Sequence, residues 1–151
     1  MTPRRYGANG SITAAATKTI LSLNGSAAVR PALYDLLISS NATPADNSSQ
    51  WWLLRWGTAN GTGTAVTPEL VDNADPAAAS TVKKNHSAEP TTYGTVPILD
   101  VSVNQRATFR WVAAPGSEIV SAASTSAGIG LQCQGIGGSG VATNASMLFM
   151  E

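Results

Sequence analysis

The chain has few of the residues that catalysis and metal binding use. It holds one cysteine, Cys133, and one histidine, His86. A single thiol excludes an intramolecular disulfide and a multi-cysteine metal site. One histidine without cysteine partners does not make a zinc site. Charge is scarce too: 12% of residues are charged, about half the usual share. Nine basic and nine acidic residues cancel. That leaves no basic excess for a nucleic-acid backbone and no polybasic cluster for a membrane surface. No run of about 18 apolar residues is present, so no membrane span is expected. Residues 1–10 contain Arg4 and Arg5 but no apolar segment of the signal-peptide kind. Synthesis and folding in a cytoplasm are therefore expected.

What remains is alanine with serine, threonine, asparagine and glycine, in 151 residues. That length suits one domain with a core of its own. A surface so poor in charge suits a protein covered by neighbours on several sides. An ordinary β-sandwich with a Ser/Thr-rich exterior fits the same composition equally well.

The densest strand signal lies in Asn104–Gly116. Ala107, Phe109, Trp111 and Ala113 alternate with Thr108, Arg110 and Val112, and Pro115-Gly116 supplies a turn. Such a strand needs a second layer over its aromatic face, and the other strands are expected to be arranged around it. Thr17–Leu23 reads as a strand closed by Asn24-Gly25. Val29–Ser39 has both helical and extended readings, and the all-β context favours the strand. In Gln50–Gly57, Trp52, Leu54 and Trp56 share one face, and Trp51, Leu53 and Arg55 the other. Both faces are largely apolar, so the strand is expected to be buried on both sides or to meet another subunit. Thr58–Thr67 runs into a short strand, Ser80–Ser87 is a polar strand or loop, and Glu89–Gly94 is a turn. Ile98, Val101 and Val103 mark another strand. Glu118–Ser121, Gly128–Gln134 and Val141–Glu151 complete the series. Roughly eight to ten short antiparallel strands separated by turns predict an all-β, jelly-roll-like β-sandwich over residues 13–151. Residues 1–12 are expected to be an extended N-terminal arm.

Signatures of chemistry are weak. The glycines of Thr58–Thr67 lack the Lys-Ser/Thr ending of a phosphate loop. GIGGSG, residues 135–140, lacks the helix that a dinucleotide site requires. Glu69, Asp72 and Asp75 do not have calcium-loop spacing. His86 has no nucleophile elbow to serve. No enzyme activity, no cofactor and no metal are expected. Arg4, Arg5 and Tyr6 suit docking on a partner, although a short edge strand with solvated arginines explains them as well. Trp51, Trp52 and Trp56 read first as core and interface, and second as an aromatic platform for sugar or single-stranded nucleic acid.

Three stretches carry a resemblance: AAVRPALYDLLISSNATPAD (27–46), GTGTAVTPELVDNADPAA (61–78) and NQRATFRWVAAPGSE (104–118), with the C-terminal strand beside them. Together they resemble the capsid decoration, or cement, proteins of tailed-phage heads. The Trp51–Trp52 pair departs from the smaller residues commoner there. The resemblance implies a jelly-roll-like sandwich, a homo-oligomer (trimer or dimer), on the outer capsid surface of the virion. Its partners would be the major capsid protein and itself, with neither nucleic acid nor membrane. Arg4, Arg5, Tyr6, Trp51, Trp52 and Trp56 are the expected partner-binding residues. A carbohydrate- or receptor-binding module of a phage virion is the alternative.

Overall fold

The structure, a computed structural model, describes residues 3–151. The described residues contain no helix. They form thirteen strands: β1 (Arg5–Thr13), β2 (Lys18–Asn24), β3 (Ala32–Ser40), β4 (Ser48–Ala59), β5 (Thr62–Val66), β6 (Glu69–Leu70), β7 (Thr81–Ala88), β8 (Thr91–Tyr93), β9 (Leu99–Asn104), β10 (Phe109–Val112), β11 (Ile119–Val120), β12 (Gly128–Ile136) and β13 (Ala142–Met150). The count exceeds the expected eight to ten because β6, β8 and β11 have two or three residues each. Strands that short leave no hydrophobic period to read.

Two antiparallel sheets pack face to face as a β-sandwich. The six-stranded sheet has the order β10-β3-β13-β1-β6, with β11 also on β3. The seven-stranded sheet has the order β5-β7-β2-β12-β4-β8, with β9 also on β4. The pairing is nested: β1 with β13, β2 with β12, β3 with β10, β4 with β9. That is one long hairpin rolled on itself, the jelly roll. Residues 60–98 are an excursion from the roll. In it β5 and β7 extend the seven-stranded sheet, β6 flanks β1, and β8 returns to β4.

Two expectations are corrected. Residues 5–13 are not an arm. They pair with β13 without a break, from Arg5↔Met150 to Thr13↔Ala142, and sit inside the sheet. Between Tyr6 and Ile12 their inward residues are small: Ala8 and Gly10 lie opposite Met147 and Ala145. Small inward residues hide the strand in the sequence, while β13 supplies the bulk. Of the expected arm, residues 1 and 2 lie outside the described residues. The Asn104–Gly116 stretch is also not the organising strand. Asn104 ends β9, a turn follows, and β10 is a four-residue strand at the edge of its sheet. Phe109 and Trp111 do share the inward side, but both are only partly buried.

The core lies between β1, β3 and β13 on one side and β2, β4 and β12 on the other. Tyr6, Leu33, Leu36, Met147 and Phe149 meet Leu21, Leu23, Trp51, Leu53 and Leu131, all at 1% exposure or less. The strict alternation of β13 buries Thr143, Ala145, Met147 and Phe149 and leaves Leu148 and Met150 half-buried on the outside. Cys133 is buried in the same core, and burial pushes its thiol up to about 11. An uncharged, enclosed thiol is a packing residue.

Candidate docking face

Directly paired residues in an antiparallel sheet point to the same side, so the register separates the outer faces. On the six-stranded sheet the outward set includes Arg5, Gly7 and Asn9 from β1, and Ser146 and Leu148 from β13. From β3 it includes Leu37, and from β10 Arg110 and Val112. A β-bulge at Leu148–Phe149 gives β3 an extra residue, Tyr34, and the Arg5 guanidinium lies over its ring at 5.9 Å from the centroid. Val112 is 54% exposed and Val71, just beyond β6, 57%. Leu37, Leu148 and Met150 are half-buried. Gly7 and Ser146 between them keep the surface flat. One shallow depression of about 260 Å³ is lined by Asp35, Leu37, Arg110, Ser146 and Leu148. A second lies beside it, bordered by Arg5, Tyr34 and Met150. Toward the other end of β1 and β13 the surface turns polar, with Asn9, Ser11, Asn144 and Ser146 near Lys84.

Two charges on this face are neutralised within it. Asp35 is only 5% exposed, and Arg110 reaches it with Nε at 3.1 Å and Nη2 at 2.5 Å. Those hydrogen bonds to the carboxylate also push the guanidinium pKa up. Arg5 makes no ion pair among the described residues. Arg5 and Arg110 lie on strands of this sheet and Arg4 beside β1, whereas all three lysines, Lys18, Lys83 and Lys84, are on β2 and β7 of the other, together with Arg55 of β4. Protein interfaces are enriched in arginine, tyrosine and methionine and depleted in lysine.

Beside β8, the outer face of the seven-stranded sheet is covered by the chain itself. Trp56 lies flat on β12: a Cβ at Gly128 or Gly130 would fall 2.5 or 2.8 Å from its ring. Only glycine permits that approach. Tyr93 of β8 meets the same indole edge-on at 6.0 Å, and Leu54 is 2% exposed. Beside them Glu89 closes the turn between β7 and β8. Its Oε2 accepts from Thr19 N at 3.0 Å, from the Thr19 hydroxyl and from Gln132 Nε2 at 3.2 Å. Lys18 Nζ is 3.8 Å from its other oxygen. Tyr93 OH bonds Thr19 Oγ1 at 2.7 Å, and burial pushes that phenol well up, so it stays protonated. Most polar atoms of this cluster bond within it, with Glu89 Oε1 and Trp56 Nε1 left without a hydrogen-bond partner among the described residues, and it acts as a latch. The sequence reads Glu89–Gly94 only as a turn and gives no sign of it.

The six residues expected to bind a partner separate into three places. Arg4 and Arg5 are exposed beside the open face. Tyr6 and Trp51 are core residues, at 0% and 1% exposure. Tyr6 stacks on Phe149 and donates to the Pro76 carbonyl at 3.1 Å, and Trp51 Nε1 donates to Ser49 Oγ at 3.0 Å. Tyr6 is therefore not a docking side chain, because β1 turns it inward. Trp52 and Trp56 lie on the opposite sheet, Trp56 buried and Trp52 half-buried. The three tryptophans do not make one platform. Alternation along β4 sends Trp51 to the other side, and Trp56 is covered.

His86 is 2% exposed, with Nε2 2.9 Å from Ser22 Oγ. Ser22 Oγ in turn donates to the Lys83 carbonyl at 3.5 Å. Nδ1 has no hydrogen-bond partner, so no carboxylate orients the ring among the described residues. Among the described residues no three His, Cys, Asp or Glu side chains group as metal ligands. No protein-family model, curated protein or solved structure matches the chain.

Proposed function

We propose that this protein is a structural component of a virion, a decoration protein that docks on the outside of a tailed-phage head and bridges subunits of the major capsid protein. The observation that carries the reading is the open outer face of the six-stranded sheet. Leu37, Leu148, Met150, Tyr34 and Val112 lie on it without cover from the chain, next to the unpaired Arg5. A contiguous surface of this kind on a small domain marks a protein interaction site. The low charge suits wet, hydrogen-bonded contacts around an apolar centre. The jelly roll agrees with the resemblance of residues 27–46, 61–78 and 104–118 to that family.

The mechanism is linkage. A protein that binds the assembled shell and not its separate parts stabilises the shell by the free energy of binding. Self-association into a trimer or dimer multiplies each contact, because the second site is already close when the first engages. The test is co-sedimentation of the purified chain with empty, expanded heads of the virus that encodes it. Binding is expected for the natural sequence and lost for the pair Leu37→Glu and Leu148→Glu, whose unfolding midpoint should stay close to the parent. A folded chain that ignores assembled heads would sink the reading.

A further inference from the structure

The opposite face points to a second binding activity, independent of any docking on a shell. Trp52 of β4 stands in a row across the seven-stranded sheet. The register sets Gln132 of β12 on one side of it and Asp100 of β9 on the other. Unlike Trp51 and Trp56, Trp52 keeps part of its surface open. Planar polar groups surround it. Gln50, two residues away on the same face, donates from Nε2 to Asp100 Oδ1 at 2.8 Å. Gln134 donates from Nε2 to Gln132 Oε1 at 2.6 Å. These bonds fix the side chains yet leave acceptors unspent. Asp100 Oδ2, Gln50 Oε1 and Gln134 Oε1 have no partner among the described residues.

We propose that this row binds a neutral saccharide. A pyranose offers a face of C–H groups that packs on an indole, and a rim of hydroxyls that donate to fixed acceptors. The row supplies an aromatic surface ringed by amide and carboxylate oxygens. Its charge selects against anions: Asp100 is a carboxylate, and the nearest ammonium, Lys18, is already beside Glu89 at 3.8 Å. Single-stranded nucleic acid also stacks on tryptophan, but its phosphates need a cationic groove, which this row lacks. The site is a strip along β4 and β9 and not a cavity, so it fits several units of an extended chain held weakly.

The test is a ¹H–¹⁵N titration of the full chain with neutral oligosaccharides, namely fragments of α- and β-linked glucan, mannan and chitin, up to about 10 mM, where weak complexes become visible. An oligouridylate serves as the anionic counterpart. The indole N–H of Trp52 and the side-chain amides of Gln50 and Gln134 are expected to shift with at least one neutral glycan and not with the oligouridylate. Trp52→Ala should weaken that binding about tenfold or more. Asp100→Ala, on a solvent-facing strand position, should weaken it as well and keeps the test alive if loss of Trp52 harms folding. Ser117→Ala, in the exposed turn between β10 and β11, should bind as the parent does. No shift with any neutral glycan would overturn the proposal. So would shifts away from the row, or a response to the oligouridylate alone.

Discussion

The two outer faces of this sandwich both carry apolar side chains but are treated differently. On the seven-stranded sheet, Leu54 and Trp56 are covered by the chain's own β8 and by the turn that Glu89 holds. On the six-stranded sheet, Leu37, Leu148, Met150 and Val112 are left partly or largely open. The cause is the path of residues 60–98. This excursion sends only the two-residue β6 to the edge of the six-stranded sheet, while β8 and the Glu89 turn fold back over the other. The difference separates burial that serves folding from exposure kept for a partner. A sheet face that the chain covers contributes to its own stability. One that it leaves open is available for binding energy.

The comparison breaks most visibly at Trp56. Trp56→Ala should cost about 3–5 kcal/mol, because the indole fills the space above two glycines and little can collapse into it. Gly130→Val attacks the same contact from the other side. Its first added carbon meets the ring at 2.8 Å, and such overpacking costs about 1–3 kcal/mol or more. Urea unfolding measures both. If either variant unfolds like the parent, Trp56 is not part of the folded core and the covered face is misdescribed.

Glu89→Ala comes next. It strips the acceptor from the Thr19 amide and from Gln132, both on buried residues. Unsatisfied buried donors cost about 1–3 kcal/mol. Hydrogen exchange gives the sharper readout, since amides of β8 and of Thr19 should lose protection before those of β13. Uniform exchange across both sheets would mean that the turn is not a latch.

The sequence shows much of this architecture and little of the division between faces. Alternation in β4 shows that both its faces are largely apolar, whereas in β13 both faces carry bulky apolar residues, so periodicity alone does not say that Met147 and Phe149 are the inward pair. The all-β sandwich follows from many short strands between turns. β1 was hidden because Ala8 and Gly10 are too small to mark an inward side. β10 was overrated for the opposite reason: Phe109 and Trp111 are bulky, yet at an edge they are only half covered. Whether an apolar face is open depends on where residues 60–98 cross, and periodicity holds no information about that. The Glu89 latch joins residues 70 apart in sequence to Thr19, so no local pattern announces it.

A smaller effect separates the sheets by pH. Burial pushes the His86 imidazole below its ordinary value of 6.5, so the folded chain holds the ring neutral where the unfolded chain begins to protonate it. The unfolded state then binds more protons, and stability falls as pH drops below about 6.5 until the folded ring also titrates. Above that pH both states are neutral and the contribution is flat. His86→Gln should remove this part of the acid sensitivity while retaining a hydrogen-bonding group for Ser22. Midpoints of thermal unfolding between about pH 5 and 8 decide it. Parallel curves for parent and variant would show that His86 is not enclosed.

The smallest expected effect is the most informative about the open face. Val112→Thr keeps the shape of a residue that is 54% exposed at the edge of the six-stranded sheet. Its stability should match the parent within about 0.5 kcal/mol. Leu54→Ala, on the covered side at 2% exposure, should cost about 2–5 kcal/mol. If the open face is a docking surface, the order reverses when binding is measured: Val112→Thr weakens attachment to heads, and Leu54→Ala, in whatever fraction remains folded, does not. Equal losses of stability for the two would mean that the six-stranded face is covered in solution by the chain itself or by a second copy. A concentration series of the unfolding midpoint separates those cases, since only cover by a second copy depends on protein concentration.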